Sequence, residues 1–578
     1  MNAPDKSAIA ATTVGEAYLR LLANRGIEFL FANAGTDFAP LIEGFARCAE
    51  AGVAAPRPVT VPHENVAVCM ALGHWLLSRR MQAVMVHVNV GTANTICGLL
   101  NAARAHIPIL LTAGRTPITE SGLEGGRNLH IHWAQEMYDQ AAMLREVVKW
   151  DYELRNGVQL EAVVDRAIGV ALAPPTGPVY LTLPREVLAS PVPAGHAPAA
   201  QSRRLPPVAP HPDPEAIERV AAWIAGARMP LIVTTALGME RGAAAVLASL
   251  SGRFAIPVVQ HVPRCMSLAS SHPMHAGYEP APWLAEADLV VVLESTVPWI
   301  PAVTGPRPGA KVVQIGIDPL HLGVPMRGFE CDLGITSSGR AAVRALEAAL
   351  AARLPEGDAR VASRREFVTQ ARQARLAAAQ RTLEEARASA TIRTPWLTHC
   401  LSLAMDDTGV VIREAPQFSF AHFAAEREDA FYSAGAASGL GWGLGAAIGA
   451  KLAAPERSIV LVAGDGSYMF GVPVAAHYTA LEQDAPFLTV IVDNQRWNEV
   501  GVATRHLYPD GIAARDRGRE ALTYFDRRLR LEKVVESVGG HGERVTVPAA
   551  LPDALQRAFR IVREERRQVV LDVVCPSA

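Results

Sequence analysis

The sequence predicts an α/β chain built from three doubly wound parallel-sheet units. Three observations support this. Short β-branched apolar runs alternate with helix-period stretches along most of the 578 residues. Each run stops at a turn rich in glycine, asparagine or proline, as strands do where they cross over to helices. Two stretches without an apolar period, 191–213 and 352–392, divide the chain.

Residues 1–190 form the predicted N-terminal unit. Glu16–Ala23 reads as a helix and Glu28–Ala32 as a strand ending in Asn33-Ala34-Gly35-Thr36. Pro58–Val61 is a strand ending at Pro62-His63-Glu64, and Glu64 opens a helix. Gln82–Val90 is expected to be one strand, with Val84, Val86, Val88 and Val90 on one face and Met85, His87 and Asn89 on the other. Ile107–Ala113 and Gly177–Leu183 complete the sheet. The proline-dense segment 191–213 reads as a stiff linker.

Strands at Pro230–Thr235, Ile256–Gln260, Asp288–Leu293 and Lys311–Ile317 predict a middle unit over 214–351. No GxGxxG lies between a strand and a helix there, so the unit carries no dinucleotide fingerprint and reads as structural. Residues 352–392, rich in Ala, Arg and Glu, read as a solvated helical connector. The C-terminal unit, 393–578, has strands at Gly409–Ile412, Phe431–Gly435, Ser458–Ala463, Phe487–Val492, Arg544–Val547 and Gln568–Val574.

Composition narrows the function. Half the residues are hydrophobic and 19% charged, enough apolar surface for large cores. A net charge of −2 gives no hold on nucleic acid or an anionic membrane. Aromatics at 6% are too sparse for a base-stacking platform. Seven scattered cysteines without a CxxC predict a reduced, cytoplasmic protein with no thiolate metal site. The uncharged run Ser433–Ala450 is glycine-laced and too short for a membrane span, so it is expected to be a buried loop and helix.

The sharpest constellation is in the C-terminal unit. One apolar strand breaks at Gly464-Asp465-Gly466-Ser467 and the next ends at Asp493-Asn494. Neighbouring parallel strands thereby bring a carboxylate and an amide to one carboxyl edge, where open α/β sheets bind ligands. An all-oxygen pair beside glycine-freed backbone amides suits Mg²⁺ carrying a phosphate group. In the N-terminal unit Glu64 is a helix-start carboxylate, which the helix dipole alone would favour. His87 is a lone strand histidine, and Thr36 is a hydroxyl at a strand end that could equally cap a helix.

The GDG turn followed one strand later by an asparagine pair resembles the signature of thiamine-diphosphate enzymes, here with Asp493 in place of the first asparagine. Val86–Asn94 is similar to the segment of benzoylformate decarboxylase that holds an active-site histidine. Three units with linkers match the layout of pyrimidine, central and diphosphate domains in the benzoylformate decarboxylase and acetolactate synthase family. The resemblance implies thiamine diphosphate and Mg²⁺ as cofactors. It makes Asp465, Asn494 and the backbone carbonyl of Arg496 the metal ligands, and places Gly464, Gly466 and Ser467 at the diphosphate. It gives Ser438 a carbonyl that receives the cofactor's amino group, and Leu440 the bulky side chain that wedges the cofactor into a V. Glu64 would hydrogen-bond the aminopyrimidine and start the proton relay, with His87 moving protons on intermediates and Thr36 touching substrate. That decarboxylase has a second histidine, which finds no counterpart in the matching region Glu294–Pro301.

The resemblance implies a 2-oxo acid substrate, cleaved next to its carbonyl with loss of CO₂ through an enamine. The alternative is an acetolactate-synthase-type carboligase, for which an FAD in the middle unit finds no supporting fingerprint. A non-catalytic regulatory protein of the same fold would have no need of Glu64, Asp465 and Asn494 together. Because the family draws the two ends of its site from different subunits, a homodimer or homotetramer is expected. The substrate is left open, since Asn128, His130, His132, Trp133, Trp497, Arg505 and His506 lie in loops 118–133 and 497–525 that the sequence does not place.

Overall fold

A computed structural model describes residues 9–202, 204–435, 437–515, 520–525 and 527–576. Strands β1 (Phe29–Asn33), β2 (Arg57–Thr60), β3 (Ala83–Val86), β4 (Leu110–Arg115), β5 (Asp151–Glu153) and β6 (Val179–Pro184) make one sheet in the order β2-β1-β3-β4-β6-β5. The middle sheet holds β7 (Pro230–Thr234), β8 (Val258–Gln260), β9 (Leu289–Leu293), β10 (Lys311–Gly316) and β11 (Leu333–Thr336) in the order β11-β10-β9-β7-β8. The C-terminal sheet holds β12 (Val410–Arg413), β13 (Phe431–Ser433), β14 (Ile459–Gly464), β15 (Leu488–Asp493), β16 (His541–Val545) and β17 (Val569–Val574) in the order β13-β12-β14-β15-β17-β16. All pairings are parallel, and the first and last sheets follow the same path strand for strand.

Helices cover both faces of each sheet, which is why β3, β9 and β15 are buried along their whole length. In every sheet the chain reverses its direction of advance after the second strand. This leaves a crevice at the carboxyl ends of β1 and β3, of β7 and β9, and of β12 and β14, the switch points where such sheets take ligands.

The outer units are joined by two buried helices, Glu64–Ser78 and Gly443–Ala453, whose backbones touch. A Cβ at Gly449 would lie 1.9 Å from the Met70 carbonyl oxygen, and one at Gly73 2.0 Å from that of Ala446. The Ser433–Ala450 run therefore supplies a buried helix whose glycines permit this contact. The connector forms a 30-residue helix, Ala359–Ala388, mostly exposed but anchored where buried Arg364 donates to the Ile224 and Arg228 carbonyls. Among the described residues no helix is long and apolar enough to cross a membrane.

One strand differs from expectation. The predicted strand Gln82–Val90 stops at Val86, and Val88–Asn94 is a helix. The chain turns at Val88, whose φ is +31°, and its N–H points to the Asp37 carboxylate at 3.4 Å. Valines 88 and 90 therefore do not share a sheet face: Val88 is buried and Val90 is 48% exposed. Edge strands β5 and β11 were not anticipated, since each is short and only partly buried.

Gly449→Ala should destabilise the protein by about 2 kcal/mol or more, because the methyl group must push two packed backbones apart. Gly226→Ala, where a Cβ meets nothing within 4 Å, should be nearly neutral in the same denaturant titration.

Candidate cofactor and active site

At the C-terminal switch point β14 runs into Gly464, and Asp465 begins a short helix, Asp465–Phe470. Asp465 is 4% exposed; its Oδ1 accepts the Gly466 N–H at 2.8 Å and its Oδ2 the Gln495 N–H at 2.7 Å. Burial, and then the neighbouring Asp493 carboxylate, push its pKa well up. Asp493 is itself neutralised by Arg544 at 2.9 Å, whereas Asp465 has no cationic side chain within ion-pair distance among the described residues. A buried carboxylate without a cation is costly, so this one suits a divalent metal. Hard oxygens stand beside it. The Asn494 Oδ1 accepts the Arg496 N–H at 3.1 Å, and the Arg496 carbonyl lies two residues on. Gln495, at φ +61°, makes the turn between them. Gly466 is required because a Cβ there would sit 2.3 Å from the Trp497 ring, and Ser467 is buried next to it.

The loop carrying Ser438 and Leu440 is gripped from two sides. Glu414, at the end of β12, accepts the Gly441 N–H at 2.5 Å and the Gly443 N–H at 2.9 Å. From the N-terminal unit, the Asn101 amide donates to the Gly439 carbonyl at 2.8 Å and accepts its N–H at 2.9 Å. Between these clamps Ser438 adopts φ +48° and Gly441 φ +84°. A left-handed serine costs free energy that the surrounding bonds must offset, a pattern common at ligand clamps. Burial lifts the Glu414 carboxyl to about 7, against the pull of the N–H groups it accepts.

At the N-terminal edge Glu64 is the first residue of its helix, after the His63 cap, and is 9% exposed. Its Oε2 accepts from the Asn94 amide at 3.0 Å. His87 stands at the neighbouring switch point, where its Nδ1 meets the buried Asp37 carboxylate at 2.5 Å. Gly35 makes room for the ring, since a Cβ there would lie 2.1 Å from His87 Nδ1. Thr36 is exposed at the start of a 3₁₀ turn whose N-cap is Gly35, so its hydroxyl makes no capping bond. Of the unplaced loop residues, His132 lines one cavity with His87 and Thr36.

The sequence-predicted residues thus fall into two groups. Glu64, His87 and Thr36 lie at the carboxyl edge of the first sheet. Asp465, Asn494, Arg496, Gly464, Gly466 and Ser467 lie at that of the third, with Ser438 and Leu440 on the adjoining clamped loop. Sequence reasoning missed Asp37, Asn94, Asn101, Glu414 and Arg544. Asn94 ends the Val86–Asn94 segment and Asp37 directly follows Thr36, so a search for partners of Glu64 and His87 could have found them. Asn101 and Arg544 act across long sequence separations, for which one sequence holds no signal.

Three family models match the chain. They are the thiamine pyrophosphate enzyme N-terminal binding domain over residues 12–143, the central domain over 217–346, and the C-terminal binding domain over 415–573. The chain belongs to the thiamine pyrophosphate enzyme family and is a thiamine-diphosphate-dependent enzyme. A sulfoacetaldehyde acetyltransferase from Rhodobacter capsulatus is 26% identical, the match covering 95% of this chain and 92% of the relative. Benzoylformate decarboxylase from Pseudomonas aeruginosa is also 26% identical, over 83% and 86%. Acetolactate synthase isozyme 3 large subunit from Escherichia coli is 23% identical, over 88% and 86%. Among solved structures, a Rhodococcus jostii thiamine diphosphate-dependent 4-hydroxybenzoylformate decarboxylase has the same fold, with a TM-score of 0.75 at 20% identity over 98% of this chain and 99% of that one.

Glu414→Gln removes the titration of the clamp and keeps one of its two N–H acceptors. The folded-state pKa of Glu414 is raised, so its contribution to stability is full below the usual carboxylate range and is lost as pH rises through about 7. Wild type should therefore lose stability relative to Glu414→Gln between pH 5 and 8, read from denaturant midpoints across that roughly three-unit window.

Proposed function

We propose that this enzyme cleaves the bond next to the carbonyl of a 2-oxo acid, releasing CO₂. The observation that carries the reading is the pairing of a held Glu64 with a His87–Asp37 dyad on one sheet edge. The chemistry that thiamine diphosphate supplies when bound is a nucleophilic carbon and an electron sink. Glu64, oriented by Asn94, would hold a proton against the aminopyrimidine. Asp37 accepts the His87 proton on Nδ1, which leaves Nε2 as the nitrogen that would take and return a proton near the substrate. Thr36 offers a free hydroxyl to the substrate carboxylate. Asp465, Asn494 and the Arg496 carbonyl would hold Mg²⁺, and Gly464, Gly466 and Ser467 would lie against the diphosphate.

The working unit in this reading is a homodimer or a homotetramer. Glu64 hydrogen-bonds within the first unit, and the Asp465–Phe470 helix packs on β14, β15 and the helix Pro473–Glu482 of the third. Apolar side chains lie exposed near both edges, among them Trp133 and Tyr138 on one and Phe470 and Val500 on the other. A second copy would cover them and bring the two half-sites together.

A second reading, transfer of the cleaved fragment to another acceptor, is favoured by a cavity of about 420 Å³ that runs from the Leu440 loop to the middle unit. The acetyltransferase and acetolactate synthase relatives agree with it. FAD finds less support. At the middle switch point stands the Glu294 carboxyl, close against Gly316 and Gly339, where a dinucleotide phosphate would meet a carboxylate.

The purified protein with thiamine diphosphate, Mg²⁺ and a panel of aliphatic and aromatic 2-oxo acids should release CO₂, with the products followed by mass. Aldehyde products support cleavage and acyloins support transfer. Glu64→Gln should lower turnover by about 10²-fold or more. If the cofactor binds, no 2-oxo acid is consumed, and Glu64→Gln behaves as wild type, the proposal fails.

A further inference from the structure

His132 lies in the loop between β4 and β5, outside every motif that carries the family resemblance. It is 3% exposed and lines a narrow cavity at the first switch point together with Thr36, Asp37, His87, Arg115 and Arg185. Its Nδ1 accepts two backbone N–H groups, from Asn128 at 3.2 Å and Leu129 at 3.4 Å. A ring nitrogen that accepts carries no proton, so the neutral ring is protonated on Nε2. That Nε2 makes no hydrogen bond to any described residue. His87 is held the other way round, its Nδ1 against the Asp37 carboxylate. One cavity therefore holds a fixed N–H donor beside a histidine that can exchange a proton.

We propose that His132 is a catalytic hydrogen-bond donor, its Nε2–H stabilising the negative charge that develops on the substrate's carbonyl oxygen. The inference rests on the 2-oxo acid reading above. His132 does not transfer its proton; proton movement falls to His87, backed by Asp37. A neutral imidazole suits such a donor because it stabilises oxygen charge without a proton to lose at working pH.

The surroundings keep His132 neutral. Burial, then Arg185, Arg127 and His87, push its pKa down, and Glu186 opposes them. Arg185 positions the loop. Its guanidinium donates to the Gly125 carbonyl at 2.8 Å, the Gly126 carbonyl at 2.7 Å and Asn128 Oδ1 at 3.2 Å, and across the cavity to the Thr36 carbonyl at 3.3 Å. It is 7% exposed and has no carboxylate within ion-pair distance among the described residues. Its charge therefore remains available to favour an anion in the cavity.

The test separates a donor from a loop prop by using two amides. Asparagine places its amide near the Nδ1 position and can keep the loop bonds; glutamine places its amide near Nε2 and can keep the donor. With the 2-oxo acid that wild type turns over, His132→Gln should keep kcat within about tenfold. His132→Asn should lose about 10²-fold or more in kcat, with KM and thiamine diphosphate affinity by calorimetry little changed. If His132→Asn is as active as His132→Gln, or more so, His132 is structural and the proposal is overturned. A readout independent of turnover is deuterium exchange at each histidine ring carbon, followed by mass spectrometry against pH. His132 should remain neutral below the range where an exposed histidine titrates; titration in the ordinary range overturns the proposal. If wild type consumes no 2-oxo acid, the functional reading fails, and this exchange result still decides the state of His132.

Discussion

The architecture depends on the crossing of the helices Glu64–Ser78 and Gly443–Ala453. Glycines 73, 445 and 449 let the backbones meet, and each would drive a Cβ into the opposite helix. Each helix begins at a site element. The first opens on Glu64, and the second follows directly on the loop that carries Ser438 and Leu440. Fixing the crossing fixes how the N-terminal and C-terminal units of one chain are oriented. The Asn101 clamp on Gly439 extends the same contact into the loop itself. Interiors packed this closely transmit displacement, so the crossing governs geometry at both edges.

A second constraint is electrostatic. A buried carboxyl stands at each switch point, and its partner differs in each case. Asp37 has the His87 ring, Glu414 has the backbone N–H groups of the Leu440 loop, and Asp465 has backbone N–H groups but no cationic side chain among the described residues. In the middle unit Glu294 accepts the Ile317 N–H at 2.9 Å, and burial lifts it to about 7. The same sheet path thus gives a histidine–aspartate dyad, a loop clamp, a buried carboxylate held by backbone N–H groups, and a carboxyl on the wall of the cavity between the middle unit and the Leu440 loop. The side chains that answer each carboxyl make the difference.

Much of this was legible in the sequence. Parallel strands buried on both faces announce themselves as β-branched runs, and β9, β14 and β15 lie within a residue or two of their predicted ends. The GDG turn and Asn494 could be placed on one edge because neighbouring strands end there. What failed was local. The apolar alternation through Val88 and Val90 looked like more strand, and only the Asp37 carboxylate, about fifty residues upstream in the chain, shows why the backbone turns instead. The partners of the site residues were illegible for the same reason: Asn101 reaches another unit, Arg544 reaches across the C-terminal sheet, and Arg185 reaches loops distant in sequence within the N-terminal unit. His132 could be named as chemically suggestive from sequence, but its ring orientation depends on two loop N–H groups that no periodicity encodes.

The central claim is that each working site joins Glu64 of one subunit to Asp465 of another. Glu64→Gln and Asp465→Asn should each be inactive alone. Co-expressed with separate tags and purified through both tags as hybrids, they should regain roughly half of wild-type turnover, because every hybrid dimer has one intact site of two. Hybrids as inactive as either parent would contradict a site shared between subunits.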